Sequence, residues 1–151
     1  MSRRAHVLVR HYVRGDVAEV FAGFTRELFE ALAPAFPPSR LLRYDGNDVG
    51  DEVHIRLGLG PLSQLWISEI TAREEAGGRC AFVDEGRRLP PPLTYWRHRH
   101  VVEDAGPGRV AIVEDVTFAT PLPLVTRAMT PVIRAQFEAR GPGYAAYFEG
   151  S

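Results

Sequence analysis

The chain has 151 residues, of which 45% are hydrophobic and 25% are charged. This length and composition are typical of a globular protein with a sizeable core, and we expect a single domain over residues 1–151. The 18 basic and 19 acidic residues give a formal net charge of −1, so the chain lacks the clustered positive charge of a nucleic-acid-binding protein.

The sequence shows no signal that would direct the protein to a membrane or out of the cell. No apolar run approaches the roughly 20 residues that a membrane-spanning helix needs. The N-terminus lacks the apolar segment of a signal peptide, and the single cysteine, Cys80, excludes an internal disulfide. We therefore expect a cytoplasmic protein with no membrane span and no nucleic-acid partner.

The first predicted elements are a strand and two short helices. Ala5–Arg14 is rich in β-branched residues and ends before Gly15, which predicts a strand. Asp16, with Glu19 three residues later, resembles the capping box that begins a helix. The apolar residues that follow have helical spacing, and a break near Thr25 divides this stretch into two short helices.

The middle of the chain predicts a meander of strands. Turn signals such as Asp45-Gly46-Asn47-Asp48 separate short segments of β character. The loops Gly58–Leu62 and Glu85–Leu93 are longer connections that contain proline. The predicted strands of this region are Arg40–Tyr44, Glu52–Leu57, Gln64–Glu74, Arg79–Asp84, Thr94–Glu103 and Arg109–Ala119.

The last part of the chain, Pro123–Gly150, has a helical pattern. Its predicted apolar stripe consists of Val125, Met129, Val132, Ile133 and Phe137. Because proline suits the first turn of a helix, we expect the main helix to begin at Pro131. The tripeptide Gly141-Pro142-Gly143 ends or kinks this helix.

These elements together predict an α+β fold, in which helices cover one face of an antiparallel sheet. The expected architecture is a curved sheet of about seven strands, with short helices after the first strand and a long helix at the C-terminus. A curved sheet closed by one helix leaves a cavity between the two, which is where a ligand would bind.

The segment Tyr95–Val102 carries the most informative pattern of the sequence. Successive side chains of a strand point to opposite faces, so Trp96, His98 and His100 share one face. This face is apolar in bulk and carries two imidazoles that could orient a ligand. It is therefore the predicted wall of the cavity.

The strand that follows supplies a carboxylate for the same face. With Asp104–Gly108 as the connection, His98 lies opposite Glu114, and opposed residues have Cβ atoms about 4.5–5.5 Å apart. Such a pair satisfies the requirement that buried charges are compensated. The same register places His100 opposite the apolar Ile112, which makes His100 the freer imidazole.

Short motifs along the predicted sheet are similar to those of a known superfamily. The matching residues are Trp66, Ile70 and Thr71, then Phe82 and Asp84, then Pro92, Leu93, Trp96, His98, His100 and Val102, and finally Glu114, Val116, Phe118 and Pro121. With the order of the elements, they resemble the helix-grip fold of the START/SRPBCC superfamily. The subgroup that the motifs resemble most is that of bacterial stand-alone ligand-binding SRPBCC proteins.

The resemblance implies that the protein binds a hydrophobic small molecule between the sheet and the C-terminal helix. A lipid, an isoprenoid, a quinone and a polyketide are all compatible with it, and no cofactor is expected. The residues expected to contact the ligand are Trp66, Ser68, Trp96, His98, His100, Ile112, Glu114, Val116, Phe118, Met129 and Ile133.

Alternatives to simple binding stay open for His98, His100 and Glu114. A structural network is the commonest reason for buried polar groups. Catalysis is another role: in an enzyme resembling polyketide cyclases and dehydratases, His98 and Glu114 would act as acid and base on an enolisable carbonyl substrate. A regulatory or interaction module with a vestigial cavity is a further alternative, and binding is favoured over catalysis.

A metal site is not expected, although His98-x-His100 resembles the metal-binding pattern of cupins. Glu103 follows the histidines more closely than the cupin glutamate does, and it lies on the opposite face of the strand. The remaining histidines form no second motif. No metal ligand is therefore assigned.

Overall fold

The structure, a computed structural model, describes residues 3–34 and 37–150. Its helices and strands agree closely with the predicted elements. In chain order they are β1 (Ala5–Arg14), α1 (Val17–Ala22), α2 (Arg26–Ala31), β2 (Ser39–Tyr44), β3 (Glu52–Leu57), a 3-10 helix (Gly60–Leu62), β4 (Gln64–Ala76), β5 (Arg79–Arg88), β6 (Tyr95–Asp104), β7 (Arg109–Ala119), α3 (Pro123–Glu138) and α4 (Gly141–Glu149).

The strands form one seven-stranded antiparallel sheet in the order β1-β7-β6-β5-β4-β3-β2. Strands β2 to β6 are each paired with the next strand in the chain, whereas β1 pairs with β7. Helices α1 and α2 lie between β1 and β2 in the chain and so connect the two edges of the sheet. The predicted α+β fold with a curved sheet and a long C-terminal helix is confirmed.

The helices pack on one face of the sheet, where they contact β1, β5, β6 and β7. The alternation of side chains along β1 shows which face this is. Val7, Val9 and Val13 are buried beneath the helices, whereas Leu8 is 37% exposed and Tyr12 is 50% exposed on the other face. The core therefore lies between the sheet and the helices.

Two side chains cap the short helices after β1. The Asp16 carboxylate accepts a hydrogen bond of 2.8 Å from the backbone N–H of Glu19 and begins α1. The Thr25 hydroxyl accepts one of 3.4 Å from the backbone N–H of Leu28 and begins α2. The predicted break near Thr25 is confirmed, because this residue starts a second helix.

The turn between β6 and β7 is shorter than the sequence suggested. The backbone N–H of Ala105 donates to the carbonyl oxygen of Arg109 at 3.0 Å, which leaves only Gly106, Pro107 and Gly108 outside the ladder. The two glycines have φ values of +117° and +69°, a conformation that favours glycine and permits the tight turn.

The short turn shifts the register of β6 against β7 by two residues from the predicted one. His100 lies directly opposite Glu114, and His98 lies opposite Val116. The predicted opposed pairs, His98 with Glu114 and His100 with Ile112, are therefore wrong. Because the shift is an even number of residues, every side chain stays on its predicted face.

The C-terminal helix also differs from the prediction in two details. Pro123 occupies its first turn, and Pro131 lies inside α3. Val132 is 58% exposed, whereas Thr126 is only 4% exposed and belongs to the buried stripe. The predicted break is confirmed, since α4 begins at Gly141.

Among residues 3–34 and 37–150, no helix is long and apolar enough to cross a membrane.

We expect Thr126→Val to lower the free energy of unfolding by about 1–3 kcal/mol. The Thr126 hydroxyl accepts a 3.0 Å hydrogen bond from the buried backbone N–H of Thr120, and valine would leave that donor unpaired. Denaturant titration of both proteins measures the difference. Thr130→Val is the matched control: its hydroxyl only donates to a carbonyl within α3, and we expect a change below about 0.5 kcal/mol. Equal losses in the two variants would contradict this account.

Candidate functional site

A cavity of about 370 Å³ lies between the sheet and helices α2 and α3. Strands β2 to β6, the loop before β6 and the two helices all contribute to its wall. Most of the wall is apolar. Its larger apolar side chains include Phe24, Leu28, Ile55, Trp66, Leu93, Trp96, Met129 and Ile133.

Polar side chains at one part of the wall and a carboxylate buried behind them form a connected group, which we call the polar cluster. Its members are Asp84, His98, His100, Glu114, Arg140 and Tyr144. Three adjacent strands, β5, β6 and β7, supply the first four, and the α3–α4 junction and α4 supply the last two. Alternation along β6 explains why both histidines point to the same side.

Glu114 is the most deeply buried member of the polar cluster, at 0% exposure. It accepts hydrogen bonds from Nε2 of His98 at 3.0 Å, Nη1 of Arg140 at 3.2 Å and the hydroxyl of Tyr144 at 3.0 Å. Burial alone would raise the pKa of Glu114. The charge of Arg140 and the hydrogen bond from His98 outweigh burial and hold this pKa well below its usual range. Glu114 is therefore a compensated carboxylate.

His98 reaches Glu114 although the two residues are not directly opposed on the strands. His98 is offset by two residues from His100, which faces Glu114, so its bond to the carboxylate is diagonal. The predicted pairing of the His98 and Glu114 side chains is thus present, even though the predicted register is wrong.

Asp84 and His100 form the second pair of the polar cluster. Nε2 of His100 donates to Oδ2 of Asp84 at 2.6 Å. Burial and the neighbouring His98 lower the pKa of His100 to about 4. Burial opposes the ionisation of Asp84, but the hydrogen bond from His100 and the neighbouring positive charges together outweigh it, so the pKa of Asp84 lies below its usual value. At neutral pH the pair is therefore an imidazole and a carboxylate.

The two imidazoles stack against each other, with ring centroids 3.6 Å apart. His100 also stacks on Phe82 at 4.3 Å. Because its Nε2 is bound to Asp84, His100 is not the freer imidazole that the sequence suggested. Its Nδ1 is buried and has no hydrogen-bond partner among the residues that the structure describes.

The aromatic part of the cavity wall is centred on two tryptophans. Trp66 and Trp96 meet edge to face, with ring centroids 4.8 Å apart and an interplanar angle of 86°. Nε1 of Trp66 donates to the hydroxyl of Ser68 at 2.9 Å, so the indole N–H is satisfied within the wall. Trp96 also stacks against Phe137 of α3.

The structure divides the residues predicted to contact a ligand into two groups. Trp66, Ser68, Trp96, His98, His100, Met129 and Ile133 line the cavity. Ile112, Glu114, Val116 and Phe118 lie in β7, are 0% exposed and pack into the core instead. The reason is that the side chains of β7 lie beneath the C-terminal helices: Ile112 is in the cluster of Tyr144, and Phe118 is in that of Ile133.

Asp84, Arg140 and Tyr144 line the cavity but were not predicted as site residues. Asp84 belongs to a motif noted in the sequence, and strand alternation could have placed it beside the histidines. Arg140 and Tyr144 flank the Gly141-Pro142-Gly143 break, where helical periodicity is interrupted. No pattern in the sequence brings these two residues to β7.

Tyr44 and Asn47 form a smaller polar group elsewhere in the wall. The amide of Asn47 donates to the carbonyl oxygen of Phe24 at 2.6 Å, and the hydroxyl of Tyr44 donates to Oδ1 of Asn47 at 3.0 Å. These bonds attach the end of β2 to the segment between α1 and α2. Burial raises the pKa of Tyr44 to about 12.

Comparison with solved structures identifies the class of fold. Norcoclaurine synthase from Thalictrum flavum superposes with a TM-score of 0.71 and 12% identity, over 99% of this chain and 96% of that one. The Zhui aromatase/cyclase from Streptomyces sp. R1128 gives a TM-score of 0.64 and 14% identity, over 98% and 93%. Ara h 8.0201 gives a TM-score of 0.64 and 14% identity, over 99% and 100%.

These similarities show that the protein has a helix-grip fold, as the sequence predicted. No protein-family model and no curated protein sequence matches the chain. Its resemblance to the bacterial stand-alone subgroup stays a prediction.

We expect Glu114→Gln to lower the free energy of unfolding by about 3–5 kcal/mol, because glutamine keeps the shape but leaves Arg140 without its buried counter-charge. Denaturant titration measures the loss. Glu149→Gln is the control, since it removes a pair with the 88%-exposed Arg14 and should cost less than about 1 kcal/mol. A loss in Glu114→Gln no larger than in the control would refute the role of the carboxylate.

We expect the stability of the protein to fall as the pH rises from 10 to about 12, partly because of Tyr44. In this range the unfolded state releases the phenol proton while the folded state retains it, so the folded state binds more protons and stability decreases with pH. Tyr44→Phe should make the decrease shallower, whereas Tyr12→Phe, at an exposed position, should not. Unfolding titrations across this range give the slopes, and identical slopes in all three proteins would contradict the assignment.

Proposed function

We propose that the protein binds a hydrophobic small molecule in the cavity between the sheet and α3. The observation that carries the proposal is the cavity itself: about 370 Å³ of space with a mostly apolar wall and a few polar groups. Small-molecule sites in proteins have typical volumes of about 300–1,000 Å³ and the same division of apolar wall and polar contacts. A core that served packing alone would leave few voids larger than a water molecule.

The polar cluster suggests which group of the ligand it would bind. Arg140 is already engaged by Glu114, so its charge is largely compensated. Asp84 is an ionised carboxylate in the cavity wall and accepts hydrogen bonds only. A hydroxyl group on an otherwise apolar molecule would donate to Asp84 and satisfy it. Lipids, isoprenoids, reduced quinones and polyketides all include molecules of this kind.

The structural relatives support a small-molecule role at the level of the fold. One structure of norcoclaurine synthase from Thalictrum flavum is a complex with dopamine and hydroxybenzaldehyde. That protein is 13% identical to this chain, so the similarity extends to the fold and not to particular contacts. Affinity here would come mainly from burial of apolar ligand surface, at about 25 cal/mol per Å² before the costs of binding.

The proposal is tested with anilinonaphthalene sulfonate, a fluorescent apolar probe, and with thermal shift on a panel of fatty acids, isoprenoid alcohols, quinols and aromatic polyketides. We expect at least one class to raise the melting temperature and to displace the probe from the native protein. Native mass spectrometry of the purified protein checks for a molecule that is already bound.

A cavity-filling variant locates the binding site. Met129→Trp places a large side chain in the cavity wall and should weaken probe binding at least tenfold. Leu124→Trp is the matched control, because Leu124 lies on the same helix but is 75% exposed. Equal binding in the two variants would mean that the probe binds elsewhere, and the absence of any stabilising or bound molecule would overturn the proposal.

A second candidate function is acid–base catalysis on an enolisable carbonyl compound. Its motivating observation is that Asp84, His98 and His100 all line the cavity. Glu114 is unsuited to the acid–base role that the sequence suggested for it, because its carboxylate is buried and accepts hydrogen bonds from three donors. Asp84 and His98 would take the acid–base roles instead.

Exchange of deuterium into a cyclic diketone, followed by nuclear magnetic resonance, tests the second candidate. We expect the native protein to accelerate exchange and Asp84→Asn to lose at least tenfold of this acceleration while it still binds the apolar probe. His54→Gln, which alters a histidine–carboxylate pair in β3, serves as the control and should keep the full rate. If the native protein gives no acceleration, the enzyme hypothesis fails and the binding proposal is unaffected.

A further inference from the structure

We propose that Asp84, His98 and His100 form a binding site for one divalent transition-metal ion, such as Zn²⁺, in the wall of the cavity. The three residues can each offer one donor atom, and these atoms all lie within 4.8 Å of one another. Two imidazole nitrogens and one carboxylate oxygen are a donor set that first-row transition metals favour. This proposal goes beyond apolar ligand binding: an ion at the site would take the place of the ligand hydroxyl on Asp84, while the apolar part of the cavity would stay available to a ligand.

The strand geometry brings the donors together without a loop. His98 and His100 are alternate residues of β6, and Asp84 lies directly opposite His98 on β5. Oδ2 of Asp84 is 2.6 Å from Nε2 of His100 and 3.8 Å from Nδ1 of His98. Ligands on one tetrahedral Zn²⁺, at about 2.0–2.2 Å from the metal, lie about 3.3 Å apart. The Asp84–His100 distance is shorter and the Asp84–His98 distance longer than this, so ligation requires the two stacked imidazoles to rotate apart.

The third ligand comes from a place that the sequence pattern did not indicate. In the cupin-type pattern, a glutamate follows the two histidines along the chain. In this protein the carboxylate comes from Asp84 on the neighbouring strand, on the same face as the histidines. The objection that Glu103 points to the opposite face therefore does not apply to the site.

Glu114 orients His98 so that its Nδ1 lies on the side of Asp84. The Nε2–H of His98 donates a hydrogen bond of 3.0 Å to Glu114, which leaves Nδ1, 3.8 Å from Oδ2 of Asp84, as the ring nitrogen available to an ion. A metal-binding histidine usually donates its other ring N–H to a carboxylate in this way. Arg140 and Tyr144 hold that carboxylate in turn.

His100 carries an unsatisfied atom that metal binding would satisfy. With its proton on Nε2, its buried Nδ1 has no partner among the described residues. An ion on Nε2 would displace this proton to Nδ1, so the ring stays neutral and no proton is lost. Nδ1 lies 4.0 Å from Oε1 of Glu114, which a small shift would turn into a hydrogen-bond acceptor. One carboxylate would then orient both metal-binding histidines.

The charge of the polar cluster also favours a cation. The cluster holds two carboxylates, the 14%-exposed Asp84 and the buried Glu114, against one arginine, Arg140, which is paired with Glu114. A divalent ion at this site would place its positive charge beside the Asp84 carboxylate. Three protein ligands would leave a fourth position of the ion open toward the cavity, since all three residues line it.

Calorimetric titration of the chelator-treated full-length protein with Zn²⁺ tests the site. We expect one ion per chain for the native protein and at least 100-fold weaker binding for Asp84→Asn, with the fold of both checked by circular dichroism. His54→Gln alters the other partly buried histidine–carboxylate pair and should leave the affinity unchanged. Binding that His54→Gln abolishes and Asp84→Asn retains would overturn the proposal, as would the absence of stoichiometric binding to the native protein.

Nitrogen nuclear magnetic resonance of the native protein provides a test that needs no variant. Addition of Zn²⁺ should shift Nδ1 of His98 and Nε2 of His100 to the values of metal-bound nitrogen, and Nδ1 of His100 should become protonated. Unchanged spectra for these two rings, with shifts confined to other histidines, would overturn the proposal.

Discussion

The buried carboxylate of Glu114 is the constraint on which the rest of the structure depends. An ionised group at 0% exposure is tolerated only when its charge and lone pairs are compensated. Its three donors come from β6, from the α3–α4 junction and from α4. The position of the C-terminal helices relative to the sheet is therefore fixed by hydrogen bonds as well as by apolar packing, and this position sets the shape of the cavity.

The fold was largely readable from the sequence because it depends on local signals. The predicted bounds of β1 and β7 match the structure to the residue, and the predicted break near Thr25 coincides with the start of α2. The β6–β7 register was wrong because it depends on how many residues the turn uses, and Gly106 and Gly108 allow a tighter turn than composition alone indicates. Since the error was two residues, it left the faces of the strands unchanged.

The site was predicted only in part. Its strand residues follow a local pattern in the sequence, whereas its helix residues are placed by tertiary structure. Trp66, Trp96 and the histidines belong to strands, where a period of two shows which side chains share a face. Arg140 reaches Glu114 through a helix break whose geometry no periodicity describes. Side chains of β7 lie on the same face of the sheet but are covered by the C-terminal helices. How far these helices cover the sheet depends on tertiary packing, which the strand pattern does not reveal.

The connectivity of Glu114 has a consequence for how the sequence can change over evolution. A single replacement of Arg140 leaves the buried charge of Glu114 without its cation, and a single replacement of Glu114 leaves the partly buried Arg140 without its counter-charge, whereas replacing both by apolar residues of similar volume removes the cost. Positions 114 and 140, separated by 26 residues in the chain, should therefore vary together among homologous sequences. Tyr144 should follow them, because its buried hydroxyl would lose its acceptor when the carboxylate is lost.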